Sequence, residues 1–415
     1  MPDTADTPRD IRPFLALEAA TLISGTGNGV AAIALPWLTL QLTDDPAAAG
    51  LVVAVAALPQ LAASLGSGII IDRLGRQRTS VGSDIFSAVS AALIPVFGLL
   101  GVLTYPLVMF ASVLGAIFDP VGVTAREAML PDVAKRGRLA LERVNGIHEA
   151  IWGLAWLIGP GVAGVLIGLV GATMSFWAMA AGFAISAVLV AAVCMPTPPA
   201  RESEAHWVAE AIEGWKCLLH TPALRATTVL STLAFMLAYS VVGVVLPVVY
   251  ERMDQPEALG VLFMAYSGAG VGGALIYGAL GSRIPRRAAF VTGLAVSALV
   301  PLVFVFSASY AVQLVAMAVA GLLSAAVNPV LNVVVQERVP DEMRGRVLSA
   351  VFALAYAAYP VGYAAAGFTI KWWGETATLA WMGGATLLVA AWGLVTPALR
   401  GLESHGPAVS ETAHR

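Results

Sequence analysis

The segment GIIIDRLGRQR, residues 68–78, places one Asp and three Arg between two long apolar stretches. The stretch before it, LVVAVAALPQLAASLGSGIII at 51–71, is continuously apolar and long enough to cross a hydrocarbon layer about 30 Å thick. Of the 415 residues, 58% are hydrophobic and 12% are charged, and the mean hydropathy is +0.82. The sequence therefore predicts an all-α membrane protein, because the strands of a membrane barrel would alternate apolar and polar residues.

Glycine, proline and charge clusters divide the chain into twelve apolar stretches, each predicted to be a transmembrane helix. With both termini on one side, 21 of the 23 Lys and Arg residues share that side, and only Arg252 and Lys371 lie opposite. Because cytoplasmic loops are enriched in Lys and Arg, both termini are predicted to be cytoplasmic. The predicted spans are residues 13–41, 47–71, 80–101, 104–125, 145–169, 173–195, 226–250, 257–280, 288–308, 310–333, 347–370 and 376–398.

Sequence features repeat at a nearly fixed interval. Gly68 and Gly278 are 210 residues apart, and PDVAKRGR at 131–138 recurs as PDEMRGR at 340–346. Such a duplication predicts two pseudo-symmetric six-helix bundles in the same orientation. The predicted divisions are a first bundle at 1–195, a cytoplasmic linker with an amphipathic helix at 196–225, a second bundle at 226–400 and a disordered cytoplasmic tail at 401–415.

The linker helix carries its apolar residues on one face, formed by Trp207, Ala211, Trp215 and Leu218. A helix with one apolar face and a polar opposite face lies in the membrane interface. We therefore predict that this helix rests on the cytoplasmic membrane surface.

Several classes of chemistry are excluded. Two cysteines, Cys194 and Cys217, are too few for a disulfide framework, and the five His show no metal-ligand spacing. No Walker loop or Ser/His/Asp arrangement is present. The sequence thus predicts a protein that is not an enzyme, that binds no metal, cofactor or nucleic acid, and that works in the lipid bilayer.

The 68–78 segment falls in the predicted cytoplasmic turn between the second and third spans. Its pattern G-x-x-x-D-R-x-G-R resembles the signature loop of the major facilitator superfamily, whose fold is two six-helix bundles around a central cavity. The resemblance implies that Asp72 faces the start of the eleventh span and that Arg76 pairs with Asp119. The alternative is that the loop only marks topology. The motif residues are Gly68, Asp72, Arg73, Gly75 and Arg76.

A second motif, AWLIGPGVAG at 155–164, is similar to the antiporter motif of this superfamily, here carried by Gly159, Pro160 and Gly164. Within the superfamily this motif is associated with export. The longer stretch 118–164 resembles the drug:proton antiporter branch, especially its Tap-type multidrug efflux pumps, which implies export of tetracycline-like and aminoglycoside-like drugs. The chain departs at 27–29, where relatives often carry Gly-Asp-Gly and this chain has Asn28, which cannot carry a proton.

Ionisable groups inside a span cost about 2.5 to 3.5 kcal/mol on insertion scales and are candidates for proton coupling. Glu149 is the first choice, because Trp152 and Trp156 lie one and two helical turns further on the same stripe. Its alternative role is an ion pair with an Arg at the membrane edge. Glu18 is the second choice, with the alternatives that it reaches the interface or meets Arg12.

Asp119 and Asp84 are the remaining acids within spans. Asp119 is predicted to pair with Arg76 and so to hold the second-to-third-span turn against the fourth span, with proton coupling as its second role. Asp84 lies one turn into its helix, so an Arg in the adjoining loop is its expected partner. His148 could relay protons, although a single His is more often a packing residue.

Polar and aromatic groups midway along the spans are the predicted substrate contacts, because aromatic walls with scattered hydrogen-bonding groups suit large amphiphilic drugs. Interhelical hydrogen bonding and interfacial anchoring are the alternative roles. The predicted contacts are Asn28, Asn145, Trp152, Trp156, Tyr239, Asn328, Asn332, Tyr356 and Tyr359, with Tyr363 on the same stripe.

These features predict a proton-coupled secondary transporter that exports drug-like small molecules by alternating access. It is expected to act as a monomer in the bacterial cytoplasmic membrane. One alternative is an exporter or flippase of a single endogenous product such as a siderophore, antibiotic or lipid. Another is a membrane receptor that does not transport.

Overall fold

The computed structural model describes residues 10–193, 207–280, 283–340 and 343–403. Within these ranges the side chains of residues 61–69, 72, 142, 207–211, 401 and 403 are not described. The Pro-rich part of the predicted linker, nearly all of the predicted tail, and the side chains of Gly68, Asp72, Trp207 and Ala211 therefore lie outside the described part.

The described chain is α-helical throughout and contains no strand, which confirms the predicted fold class. A π-helical turn, Val241–Val245, joins α9 to α10, and a 3₁₀ helix, Pro397–Glu403, ends the described chain. The helices are α1 (Arg12–Thr43), α2 (Pro46–Leu74), α3 (Arg76–Leu99), α4 (Tyr105–Glu127), α5 (Leu130–Gly137), α6 (Leu141–Val170), α7 (Ala172–Ala192), α8 (Trp207–His220), α9 (Pro222–Ser240), α10 (Leu246–Arg252), α11 (Pro256–Leu280), α12 (Arg286–Val296), α13 (Leu299–Phe306), α14 (Tyr310–Ser324), α15 (Val327–Arg338) and α16 (Arg344–Val395).

Nine helical stretches of the described chain are long and apolar enough to cross a membrane. One of them, α16, contains two predicted spans, because Gly374 adopts φ 80° and ψ 172° and interrupts the helix. Glycine adopts this conformation without the steric cost that a side chain would add. By length alone α1, with 32 residues, and α2, with 29, also reach across a bilayer.

The chain forms two compact units that each take a short segment from the other half of the sequence. The first consists of Met1–Asp44, Val55–Ser203 and Gln255–Gly260, and the second of Asp45–Ala54, Glu204–Asp254 and Val261–Arg415. In the first unit α1 packs on α6 and α7, and α3 packs on α4 and α7. In the second, α16 packs on α8, α9, α12 and α13.

Small residues set the contact between α1 and α6. A methyl group added to Gly29 would lie 2.8 Å from the Cα of Gly159, and one added to Gly25 would lie 2.9 Å from the Cβ of Ala155. Without side chains at these points, helix backbones approach closely inside a membrane. Gly159, part of the predicted antiporter motif, thus fixes the approach of α1.

The rest of that motif contacts the segment 255–260 of the same unit. A methyl group on Gly164 would lie 2.5 Å from the carbonyl oxygen of Pro256, and one on Gly260 would lie 2.7 Å from the carbonyl oxygen of Pro160. The glycines of α6 therefore lie on two faces of the helix. One face allows α1 to approach closely, and the other allows the start of α11 to do so.

The linker helix α8 packs on protein in the second unit. Leu218 is 1% exposed in a core shared with Val347 and Val351 of α16. Gly214 contacts the backbone of Arg346, whose side chain pairs with Glu213 at 2.5 Å. Leu218, one residue of the predicted apolar face, is therefore buried in protein, while the predicted position of α8 on the membrane surface stays a prediction.

Both basic residues predicted to lie on the outer side of the membrane form ion pairs within the second unit. Lys371 Nζ lies 2.6 Å from Asp45 Oδ2, and Arg252 Nη1 lies 2.5 Å from Glu375 Oε1. Beside the first pair, a methyl group on Gly50 would lie 2.9 Å from the Cα of Gly367.

Candidate functional site

A buried hydroxyl group positions α3 against α4 in the first unit. Ser83 donates a hydrogen bond to the carbonyl oxygen of Phe118 and fits against Gly122, where a methyl group would come within 2.5 Å of its Oγ. Asp84 follows Ser83 and is 2% exposed. Its carboxylate is therefore held where α3 meets α4.

Asp84 forms a buried ion pair with Arg126 of α4. Arg126 Nη1 lies 3.3 Å from both carboxylate oxygens of Asp84 and 2.9 Å from Oγ of Ser186 on α7. Ser186 in turn donates to Asp84 Oδ2 at 2.7 Å. The side chains of Arg126 and Asp84 are 2% and 3% exposed. Ser186 supplies the additional hydrogen bonds that a buried ion pair requires.

Asp119 has a neutral hydrogen-bonding partner. Asn28 Nδ2 of α1 lies 3.1 Å from each oxygen of the Asp119 carboxylate. Arg126 is close enough to act electrostatically on both Asp119 and Asp84. We refer to the buried residues Asp84, Arg126 and Ser186, together with the half-buried Asn28 and Asp119, as the buried polar cluster.

The charges of the buried polar cluster do not balance when both acids are ionised, because Arg126 supplies one positive charge against two carboxylates. A net charge within a membrane span is costly, and binding of one proton removes it. The direct partner of Asp119 is an amide, whereas Asp84 contacts the guanidinium. Asp119 is therefore the acid of this cluster that no directly bound cation balances.

Glu18 and His148 form a second buried contact in the first unit. His148 Nδ1 lies 3.1 Å from Glu18 Oε1, and the two side chains are 4% and 6% exposed. Glu18 Oε2 and His148 Nε2 have no hydrogen-bond partner among the described residues. The predicted contact of Glu18 with Arg12 or with the interface is wrong, because Glu18 is buried against α6.

The predicted partner of Arg76 is also wrong. Arg76 Nη1 lies 2.9 Å from Asp132 Oδ2 of α5, while Asp119 is held by Asn28 within the span. The second half carries a similar pair, in which Arg286 contacts both carboxylate oxygens of Glu337 at 2.6 and 2.9 Å. Arginine at these turns therefore binds an acid at a nearby helix end.

Other residues of the 68–78 motif occupy the turn between α2 and α3. Gly75 adopts φ 85°, which separates the two helices and favours glycine. Arg73 is exposed. The predicted contact of Asp72 with the start of the eleventh span depends on a side chain outside the described part.

Glu149, the first choice for proton coupling, lies on an exposed part of α6. It shares a stripe of α6 with Trp152 and Trp156, but Glu149 is exposed and Trp156 is 45% exposed. Trp152 packs against Gly25 of α1. Glu149 forms no ion pair with a described residue. Glu127, at the end of α4, interacts electrostatically with both His148 and Glu149.

Tyrosines form the candidate substrate surface of the second unit. The ring centroids of Tyr239 and Tyr359 are 5.0 Å apart, and Tyr359 lies 6.0 Å from Tyr356 and 6.5 Å from Tyr363. Tyr266 also acts electrostatically on Tyr239. The structure thus brings together the tyrosines predicted from two separate spans, and we call these five residues the tyrosine cluster.

The remaining predicted substrate contacts are polar and exposed. Asn145 lies near the start of α6, and Asn328 and Asn332 share one face of α15. No group of three His, Cys, Asp or Glu that could hold a metal occurs among the described residues.

Three site residues escaped the sequence analysis. Arg126 lies one residue beyond the predicted end of its span, although its seven-residue spacing from Asp119 places both on one helix face. Nothing in the sequence around Ser186 marked it as a site residue, because serine is common in membrane helices. Tyr266 is on a predicted span, but only the fold brings it beside Tyr239.

Comparison with known proteins places these features in context. Residues 17–256 and 228–413 match the family model of the Major Facilitator Superfamily. The chain is 34% identical over 399 residues to the multidrug efflux pump Tap of Mycolicibacterium fortuitum, covering 94% of this chain and 97% of the relative. It is also 34% identical to the Tap pump of Mycobacterium tuberculosis (strain ATCC 25618 / H37Rv), covering 86% of each chain. The crystal structure of the nucleoside transporter NupG shares the fold, with a TM-score of 0.77, 11% identity, and coverage of 92% of this chain and 98% of that one.

Proposed function

The chain belongs to the Major Facilitator Superfamily, and from this membership we propose that it is a proton-coupled exporter of drug-like molecules. It is a multi-pass membrane transport protein and not an enzyme. The observation that carries the export proposal is the 34% identity to a multidrug efflux pump over nearly the full length of both chains.

Asp119 is the proposed proton-coupling residue. A proton-driven exporter needs a group that binds a proton in one conformation and releases it in another. In the buried polar cluster Asp119 is the acid without a directly bound cation, and Asn28 can hydrogen-bond it in either protonation state by presenting its amide nitrogen or its amide oxygen. This assignment moves the coupling role from the exposed Glu149 to Asp119.

Arg126 and Asp84 are proposed to position this site. Arg126 interacts electrostatically with both acids. When Asp119 binds a proton and becomes neutral, Asp84 is the remaining carboxylate that attracts the guanidinium group of Arg126. A change of charge at Asp119 would then be transmitted to α3 and α7 through Asp84 and Ser186. This is a route by which protonation could bias a conformational equilibrium.

The tyrosine cluster is the proposed substrate surface. Its ring faces suit planar or cationic amphiphiles, because a cation over an aromatic face gains about 0.5 to 2 kcal/mol. Hydroxyl groups on the same rings add hydrogen-bonding partners. Tetracycline-like and aminoglycoside-like compounds are the proposed substrates, and the protein is proposed to act as a monomer in the bacterial cytoplasmic membrane with both termini inside.

Transport into inverted membrane vesicles tests the proposal. Wild-type vesicles should accumulate radiolabelled tetracycline when acidified inside, and nigericin should abolish the accumulation by collapsing the pH gradient. Asp119→Asn should lose gradient-driven accumulation but retain drug counterflow, since an amide cannot exchange the proton yet keeps the cluster's shape. The control is Asp254→Asn, an exposed turn residue.

The possible results separate the claims. Accumulation that persists after nigericin would contradict proton coupling, and gradient-driven accumulation by Asp119→Asn would move coupling to another acid. Resistance of a pump-deficient host to one compound of a broad drug panel, instead of to several, would favour an exporter of a single product.

A further inference from the structure

α9 and α16 of the second unit meet in one register beside the tyrosine cluster. Tyr239 contacts Tyr359 and Gly243 contacts Tyr363, so the partners in both pairs are 120 residues apart in the chain. In the first pair two aromatic rings meet, whereas in the second the glycine presents no side chain. The ring of Tyr363 therefore lies directly against the backbone of α9 and its continuation, and a methyl group on Gly243 would come within 3.0 Å of that ring.

The two helices are already in close contact at this point. A methyl group on Gly362, next to Tyr363, would lie 2.9 Å from the carbonyl oxygen of Met236. Gly243 itself belongs to the π-helical turn Val241–Val245, and such turns are frequent at functional sites. Because the helix backbones cannot come closer, the ring of Tyr363 is the group that can move here.

The spacing of the rings singles out one gap within the tyrosine cluster. A flat ring stacked between two others needs about 7 Å between their centroids, which is twice the contact distance of about 3.5 Å. Tyr239 and Tyr359 are 5.0 Å apart, which is too close. Tyr359 and Tyr363 are 6.5 Å apart, with ring planes 48° from parallel. A small movement of one ring therefore makes this second gap fit a flat ligand.

Tyr363 is the ring of this gap that has room to turn. Tyr359 is held by further rings on two sides, since its centroid lies 5.0 Å from that of Tyr239 and 6.0 Å from that of Tyr356. Tyr363 instead borders Gly243, where no side chain stands in its way. A side chain at residue 243 would displace the ring and narrow the gap.

Carboxylates are distant from this gap along the helices that carry the tyrosine cluster. α9 contains no acidic residue. The acids of α10, α11 and α16 are Glu251, Glu257 and Glu375, and each is at least eight residues, or more than two helical turns, from Gly243 or the nearest tyrosine of the cluster. A multiply charged cation would be held here without counter-ions, which is costly. A flat aromatic compound gains ring contacts instead.

We propose that the gap between Tyr359 and Tyr363 binds a flat aromatic part of the substrate, and that Gly243 is the positioning residue that lets the Tyr363 ring turn to receive it. Tetracycline-like compounds, whose fused rings are flat in part, fit this site, and saturated polycations such as aminoglycosides do not. The inference names the substrate class of the proposed substrate surface and therefore rests on the proposed function.

Direct binding to purified protein in lipid nanodiscs tests the substrate class without transport. Equilibrium dialysis with radiolabelled tetracycline measures the binding. Unlabelled ethidium, a flat aromatic cation, should displace the tetracycline, whereas kanamycin, a saturated polycation, should not. Absence of tetracycline binding, displacement by kanamycin, or a lack of displacement by ethidium would overturn the assigned class.

Gly243→Ala tests the positioning role. Tetracycline binding should weaken about five- to tenfold, which corresponds to the loss of one ring–ring contact. Tyr363→Ala should weaken it by a similar factor, and adding Gly243→Ala to that variant should cause no further loss, because the methyl group then has no ring to displace. Gly272→Ala is the control, since a methyl group there would meet no atom within 4 Å. Additive losses in the double variant would contradict the role of Gly243.

Carbon-13 NMR of wild-type protein with labelled tyrosine rings decides the proposal even if Gly243→Ala does not fold. Comparison with Tyr363→Phe assigns the Tyr363 signals. Tetracycline should shift these signals and kanamycin should leave them in place. Tyr363 signals that tetracycline does not move would overturn the site, and the role of Gly243 with it. Intact tetracycline binding without gradient-driven accumulation in vesicles would instead count against the proposed function.

Discussion

Arg126 compensates a carboxylate at a place that water does not reach. Replacing it by Met leaves Asp84 buried without a counter-ion, which costs about 3 to 5 kcal/mol in measured buried pairs. We therefore expect Arg126→Met to lower the thermal unfolding midpoint in detergent strongly. Replacing both partners, as in Asp84→Leu with Arg126→Met, should restore much of the loss.

The exposed pair Arg76–Asp132 provides the control, since its side chains are 36% and 34% exposed. Arg76→Met should cost less than about 1 kcal/mol, because solvent screens such pairs. Equal effects of Arg126→Met and Arg76→Met would show that the Asp84–Arg126 pair is not desolvated.

Individual acids of the site could be found from the sequence, but their partners could not. Asp84 and Asp119 stand out because charges inside spans are rare. Arg76 was matched to Asp119 by resemblance, whereas the chain folds an eight-residue helix, α5, that brings Asp132 to it. Pairing depends on distances across helices, which a single sequence does not encode.

Two glycines of α1 differ in how closely they contact neighbouring helices. A methyl group on Gly29 would meet the Gly159 backbone at 2.8 Å, whereas one on Gly27 would lie at an ordinary 3.6 Å from Met179 and Phe183. Gly29→Ala should therefore destabilise the protein by about 1 to 3 kcal/mol through overpacking. Gly27→Ala should be neutral or slightly stabilising, since alanine favours helix.

Thermal unfolding of the two variants in the same detergent checks this expectation. An unchanged midpoint for Gly29→Ala would mean that α1 and α6 can move apart at no cost, which would contradict a tight contact between Gly29 and Gly159.

Gly374 separates the two spans within α16 by its positive φ. The conformation of Gly374, with φ 80° and ψ 172°, is essentially restricted to glycine and costs other residues about 1 to 3 kcal/mol, so Gly374→Ala should destabilise the protein by about that amount. Gly384→Ala is the matched change, since Gly384 also has open space around it but keeps helical geometry. Chemical unfolding of both should show a loss only for Gly374→Ala, and equal effects would contradict a strained turn.

Helix ends were largely predictable because Pro and Gly mark them, as Pro46 and Gly171 do for α2 and α6. Interior irregularities could not be located from prolines alone. The π-helical turn Val241–Val245 and the break between α12 and α13 lie just before Pro247 and Pro301, which have no N–H to bond the carbonyl oxygen four residues earlier, whereas Pro36 lies within the continuous helix α1. The amphipathic pattern of α8 indicated one buried face, but not that α16 would cover Leu218.

The Asp45–Lys371 pair joins residues 326 positions apart in the chain. Burial alone would raise the pKa of Asp45, but its hydrogen bond to Lys371 and those from the backbone N–H groups of Ala47 and Ala48 hold the pKa below its ordinary value of 3.8. The carboxylate therefore contributes stability above pH 4, and this contribution is lost as the pH falls through the lowered pKa.

Asp45→Asn should consequently lower stability by less than about 1 kcal/mol at pH 7, and the difference from wild type should shrink below pH 4. Thermal unfolding at several pH values measures this, with Asp254→Asn, a change at an exposed turn residue, as the control. A gap between wild type and Asp45→Asn that widens on acidification would contradict the assigned direction.

The same pair has a consequence for how the protein is made. Asp45 emerges from the ribosome early, whereas Lys371 follows 326 residues later. Residues 45–54 belong to the second unit, whose other residues are synthesised later. They must therefore remain in the membrane without these contacts through most of translation. In a nascent chain that stalls before residue 371, Asp45 has no Lys371 to pair with. We expect cellular quality control to degrade such a chain.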